Sequence, residues 1–140
     1  MKKLSAFLVA CMVVAPVWSN PAPATGRFER ELPGSDDTVV VTSATFDDDI
    51  CFKVTGFASD GEHISEIVVY DGSGREVARV IYPVTAKRAR WAGGFCYRFR
   101  ADRDVPGTWW YVASLDDLPA VSESIPISYG KPVKQSSVGR

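Results

Sequence analysis

A single histidine, His63, and three cysteines, Cys11, Cys51 and Cys96, exhaust the nitrogen and sulfur metal ligands of this chain. So few exclude the usual zinc sets, which need three or four such side chains around one ion. No Cys-x-x-Cys pair is present and no helix start adjoins a thiol, so disulfide exchange has no machinery. His63, in "DGEHIS", has Glu62 and Ser65 beside it in sequence but not the arrangement a triad demands, and reads as a solvated residue next to a turn. Equally absent are an extended basic tract, an internal repeat and any helical periodicity lasting more than two turns. Without a basic tract nucleic acid is not expected as a partner, and the overall charge agrees: 16 basic and 17 acidic residues leave the chain at −1.

What the chain does have, at its start, is an export pattern. Lys2 and Lys3 form a basic n-region, residues 4–18 an apolar stretch too short for a comfortable membrane span, and Ala22-Pro23-Ala24 an A-x-A cleavage site ahead of Thr25. Residues 1–24 are therefore expected to be a signal peptide, residues 25–130 one domain, and residues 131–140, short of apolar side chains, a flexible tail. Leu8-Val9-Ala10-Cys11 also resembles the lipobox of bacterial lipoproteins, in which the cysteine is acylated and the chain anchored to a membrane. That route would leave the apolar residues 12–18 where a solvated tether is expected. Removing Lys2 and Lys3 leaves 14 basic against 17 acidic residues, a charge of −3. Either route places the body in an oxidising periplasmic or extracellular compartment, where Cys51 and Cys96 are expected to pair.

From Arg27 onward, short apolar-rich runs recur between clusters of Gly, Pro, Asp and Ser, which predicts an all-β body. Strands are expected at 27–32, 38–45, 50–57, 64–70, 75–82, 95–100, 108–115 and 121–129. Asp71-Gly72-Ser73-Gly74 supplies the positive-φ residues of a tight hairpin, and Leu115-Asp116-Asp117-Leu118-Pro119 a second one. Pro126 lacks a ladder donor and assigns the last strand to an edge.

Period-two alternation decides where the cysteines point. Ile50, Phe52 and Val54 share one face of their strand while Cys51 and Lys53 share the other; Phe95, Tyr97 and Phe99 likewise oppose Cys96, Arg98 and Arg100. Both sulfurs avoid the apolar face, so the expected disulfide joins neighbouring antiparallel strands of one sheet on its outer side. The same register would set Asp49 across from Arg98, Asp47 across from Arg100, Phe52 across from Phe95 and Ile50 across from Tyr97.

Lettered A, A′, B, C, D, E, F and G, the strands place the cysteines on B and E. "GTWWYVASLDDLPAVSESIPI" looks like the closing F–G hairpin of bacterial immunoglobulin-like modules, and "VVYDGSGREVARV" like their middle hairpin. The resemblance covers roughly Arg27 to Tyr129. It implies an immunoglobulin-like antiparallel β-sandwich of about seven to eight strands, with B and E neighbours in an ABED sheet. Antibody-type domains instead pin B to F across the core, and no cysteine stands at 108–115 to do so.

Candidate chemistry is sparse. Asp47-Asp48-Asp49, with Asp102 and Asp104, lacks the spacing of an EF-hand loop and reads as a surface charge cluster, so neither metal nor cofactor is expected. Trp109 and Tyr111 alternate with Trp110 and Val112, which means that either the strand is central and covered or an indole is exposed. Trp91 lies in "KRARWAGG", read as a loop, with Lys87, Arg88 and Arg90 nearby. Trp91, Arg88, Arg90, Trp109 and Trp110 are the candidate binding residues. The expected function is a non-catalytic module that binds an envelope or extracellular protein. Alternatives are an enzyme inhibitor or immunity protein presenting the loop at 86–94, or a carbohydrate-binding module.

Overall fold

Among residues 24–130, which the computed structural model of the protein describes, the chain forms nine strands and no helix. They are β1 (Ala24–Glu31), β2 (Thr38–Val41), β3 (Ala44–Thr45), β4 (Asp49–Phe57), β5 (Gly61–Tyr70), β6 (Glu76–Ala86), β7 (Arg90–Arg98), β8 (Gly107–Leu115) and β9 (Leu118–Ser128). The first sheet has the order β2-β1-β4-β7 and the second β3-β9-β8-β5-β6. All pairings are antiparallel except the two-residue contact of β3 with β9. The expected signal segment with Cys11, and the tail at 131–140, lie outside the described residues, except that Ala24 opens β1.

Alternation builds the core. Phe28, Ile50, Phe52, Val54 and Trp91 from the first sheet meet Ile67, Val69, Trp109, Tyr111 and Ile125 from the second, all buried. Each large side chain so removed from water stabilises the sandwich by roughly 1.5–3 kcal/mol. Where an antibody-type domain would carry its B–F bridge, the Tyr111 hydroxyl on β8 donates to the Lys53 carbonyl on β4 at 2.6 Å. Burial of that phenol pushes its pKa well above the ordinary tyrosine value, so it stays a donor.

The disulfide joins Cys51 and Cys96 in direct register between β4 and β7, with Asp49 opposite Arg98, Ile50 opposite Tyr97 and Phe52 opposite Phe95. Arg98 grips Asp49 through two hydrogen bonds of 3.0 and 2.9 Å. Cys96 is exposed on the outer face as expected, whereas Cys51 is only 1% exposed. Its burial follows from position: β4 is an interior strand, and Glu29 on β1 flanks the cysteine from the side opposite Cys96.

Four expectations need correction. The Asp47–Arg100 pair does not form, because β4 begins at Asp49 and β7 ends at Arg98; Asp104 instead accepts from the Arg100 amide, turning the chain away. Residues 38–45 are two strands, β2 in the first sheet and β3 in the second. Strand 75–82 runs on to Ala86 and lies beside β5, not in the cysteine sheet: it pairs with β5 from Tyr70–Glu76 to Gly61–Ala86, next to a turn closed by the Asp71 amide donating to the Arg75 carbonyl. Finally, Ala86–Gly94 is not a loop: β6 and β7 meet in a two-residue turn, with Lys87 and Arg90 exchanging backbone hydrogen bonds of 2.9 and 3.0 Å.

Candidate binding end of the sandwich

The loops at 58–60, 87–89 and 116–117 converge at the end of the sandwich where β1 starts. In the β6–β7 turn Arg88 and Ala89 both have positive φ, 56° and 65°. Neither has the side chain that tolerates this region well, so the turn stores local strain where Asn-Gly would relieve it. Two contacts hold it: the Ala89 amide donates to Asp60 Oδ1 at 2.7 Å, and the Ala58 amide donates to the Ala89 carbonyl at 3.1 Å. The tip is therefore short, tied to the β4–β5 loop, and rigid.

Trp91 lies beneath, in β7 and only 4% exposed, so its indole is core and not the open platform its sequence context suggests. Phe57 is the aromatic that reaches solvent at this end, at 44% exposure, with the Arg90 guanidinium 5.0 Å from its ring centroid. Sequence reasoning passed over Phe57, although the alternation already carried the signal: it falls in phase with Cys51, Lys53 and Thr55 on the outer face. Around it open two depressions. One, of about 620 Å³, is lined by Thr25, Thr55, Phe57, Thr85, Lys87 and Arg90, with Gly56, Trp91 and Ala92. The other, about 170 Å³, runs from Phe57 and Trp91 to His63, Leu115 and Leu118.

His63 is not a solvated bystander. Its Nδ1 lies 2.6 Å from Asp116 Oδ2 and its Nε2 2.7 Å from the Ser59 carbonyl, both acceptors when Asp116 is ionised. The Asp116 hydrogen bond, seconded by Ser59, raises the imidazole pKa, and His63 in turn lowers that of Asp116. Asp116 also accepts from the Ile64 amide at 2.9 Å, which fastens the β8–β9 turn to β5.

The remaining tryptophans belong elsewhere. Trp109 is fully buried toward the opposite end, packed edge-on against Phe99 with its Nε1 donating to the Val105 carbonyl at 2.7 Å. Trp110 lies on the outer face of the second sheet with its ring stacked on Tyr70 at 5.0 Å. β8 is thus the central strand with both faces occupied. The structure brings Trp91, Arg88 and Arg90 together and leaves Trp109 and Trp110 out.

Asp47, Asp48 and Asp49 line one depression with Glu31 and Arg30, apart from Asp104, but among the described residues no three carboxylates bring their oxygens to a common point at metal-ligand distance. Asp48 accepts from the Thr45 amide, Asp49 holds Arg98, and Asp104 binds the Tyr97 hydroxyl and the Arg100 amide. Glu31 lies near Cys51 and Cys96, but those sulfurs are bonded to each other and are not available as thiolate ligands. Ser65 Oγ is buried without a hydrogen-bond partner and lies on the inner face, beside Gly93, not in either depression.

Two sheets in this order, with a crosslink between adjacent strands of one of them, define an immunoglobulin-like β-sandwich of nine strands. No protein-family model matches the chain, and no curated protein matches it. Among solved structures it is similar to an immunoglobulin-like protein from Pseudomonas aeruginosa, at 11% identity and a TM-score of 0.44 over 77% of this chain and 97% of that one. A CARDB domain from Pyrococcus furiosus, in complex with di-metal ions, aligns at 10% identity and 0.43 over 78% of this chain and 96% of its own. A β-glucosidase from Listeria innocua aligns at 8% and 0.44; the chain spans 79% of its own length there but 17% of the enzyme's. These likenesses concern fold, and no residue role is drawn from them.

Proposed function

We propose that the protein is an exported, non-catalytic module that binds a protein of the bacterial envelope through the end of the sandwich around Phe57, Lys87 and Arg90. The observation that carries the reading is Phe57 itself: a half-exposed ring with a guanidinium over it, on a rigid base, beside an open depression. Aromatic and arginine side chains fixed in this way are the groups that concentrate binding energy in interfaces. Against catalysis, both nitrogens of His63 are engaged, and Asp48, Asp49 and Asp104 are each taken up by a backbone amide or an arginine. Export is supported by the disulfide and by the N-terminal pattern; among the described residues no helix is long and apolar enough to cross a membrane.

A photo-crosslinking amino acid at position 57, in cells expressing the full chain with its own N-terminal segment, tests this. One discrete protein adduct is expected from position 57 and none from Val40, which is exposed on the far strand β2. Identical adducts from both positions, or none from 57, would overturn the proposal.

A further inference from the structure

The 620 Å³ depression has a floor of small side chains on the outer face of the first sheet. Thr25, Thr55 and Ala92 form one row across β1, β4 and β7, in register as Thr25 with Thr55 and Thr55 with Ala92. The next row inward along the strands is Arg27, Lys53 and Gly94, where the Lys53 side chain runs across the glycine. Phe57 with Arg90, and Thr85 with Lys87, form the walls. The result is a trough, not a closed pocket.

Its charge is one-sided. Arg27 is neutralised by Glu29, but among the described residues no carboxylate lies within ion-pair distance of Lys53, Lys87 or Arg90. Nor, among those residues, do the hydroxyls of Thr25, Thr55 and Thr85 find a hydrogen-bond partner. Unpaired cations beside hydroxyl donors are what a carboxylate needs for charge-assisted hydrogen bonds. A sugar ring would want a broad aromatic platform, and this end of the sandwich has none: Trp91 is buried and the Arg90 guanidinium covers one face of Phe57.

Resting on the binding reading above, we infer that this trough receives an acidic peptide segment of the protein partner, whose carboxylates meet Lys87 and Arg90 while an apolar side chain lies against Phe57. On a chain whose charges nearly balance, at −1, the grouping of Lys87 and Arg90 beside one trough without a carboxylate in ion-pair distance among the described residues is what suits it to an acidic segment.

Fluorescence anisotropy of the full chain with labelled peptides decides the matter. A peptide of alternating Glu and Leu should bind, and its Gln-for-Glu counterpart should bind at least tenfold more weakly; affinity should also fall as salt is raised. Lys87→Gln and Arg90→Gln should each lower affinity roughly tenfold, the effect of losing one charge-assisted bond. Arg100→Gln, at the opposite end, should change nothing. Equal binding of the two peptides, no binding of either, or preference for an oligogalacturonate would overturn the inference. Its failure is separable from that of the module reading. If position 57 crosslinks a partner equally well in the Lys87→Gln/Arg90→Gln chain, acidic recognition falls and the module stands. If the Glu peptide binds while no adduct forms in cells, the trough stands and the module falls.

Discussion

At the scale of single residues, His63 shows how a position that reads from sequence as a solvated neighbour of a turn becomes structural. With acceptors on both nitrogens it is held best as the imidazolium, which is why Asp116 raises its pKa above the ordinary 6.5. A folded-state pKa above the unfolded one contributes stability that is fully present below about 6.5 and is lost as pH rises through the folded value. The depressed carboxylates act in the opposite window. Burial alone would raise Asp71, but the Ser73 hydroxyl and amide and the Arg75 amide and guanidinium outweigh it and hold it below the usual range. Its contribution, like that of Asp116, is present above the unfolded pKa near 3.8 and disappears as pH falls through the lower folded value. Thermal melts should therefore be flat between about pH 5 and 6.5 and decline above it, and His63→Ala should remove that alkaline decline while lowering the plateau. An unchanged slope in the variant would show that the clamp does not govern this window.

At the scale of elements, the β6–β7 turn, which carries the chain from the second sheet to the first, is the point where local preference and tertiary demand disagree. Arg88 and Ala89 occupy a left-handed region that costs an L residue roughly 1–2 kcal/mol. Ala89 contributes only backbone groups to its contacts with Asp60 and Ala58, so glycine preserves both. Ala89→Gly should raise stability by about 0.5–1 kcal/mol once the extra freedom of the unfolded chain is subtracted, read as a higher denaturation midpoint at unchanged m-value. A lower midpoint would mean that the turn is not strained. This turn was also the least legible part of the sequence, for the same reason: Arg-Ala carries no turn signal, whereas Asp116-Asp117 and Asp71-Gly72-Ser73-Gly74 announce theirs. Gly93 misled in the other direction. It reads as loop, yet it sits inside β7 because a Cβ there would collide with the Tyr82 hydroxyl, which accepts the Gly94 amide at 2.6 Å. The cysteine register, by contrast, was readable in full from Asp49 to Cys51 and from Phe95 to Arg98, because alternation is set by the pleat and needs no knowledge of neighbours. What alternation could not reveal was which strands are interior, and so the burial of Cys51, or that His63 and Asp116 meet from 53 positions apart.

For the whole molecule, the disulfide and the proposed binding trough lie apart on one outer face of the first sheet. The disulfide row of Cys51 and Cys96 lies four residues along β4 from Thr55, about 13 Å at the rise of an antiparallel strand, with the Lys53–Gly94 row between. The crosslink closes 45 residues of chain and should stabilise by on the order of 3–4 kcal/mol in the chain-entropy picture. The trough gains its shape from backbone register and from the tied β6–β7 turn, neither of which depends on the sulfurs. A Cys51→Ala/Cys96→Ala chain should accordingly keep the fold, since Phe28, Phe52, Trp109 and Tyr111 still fill the space between sheets, while melting on the order of 20 °C lower. At a temperature well below that melt, its affinity for the acidic peptide should match that of the parent within about twofold, a difference under 0.5 kcal/mol. Loss of binding by a folded, crosslink-free chain would mean that the bridge shapes the trough and not merely the stability of the sheet beneath it. In the parent chain isolated from its native compartment, intact mass should be two hydrogens short of the reduced form; a free thiol at Cys51 or Cys96 would refute the pairing and remove its support for export.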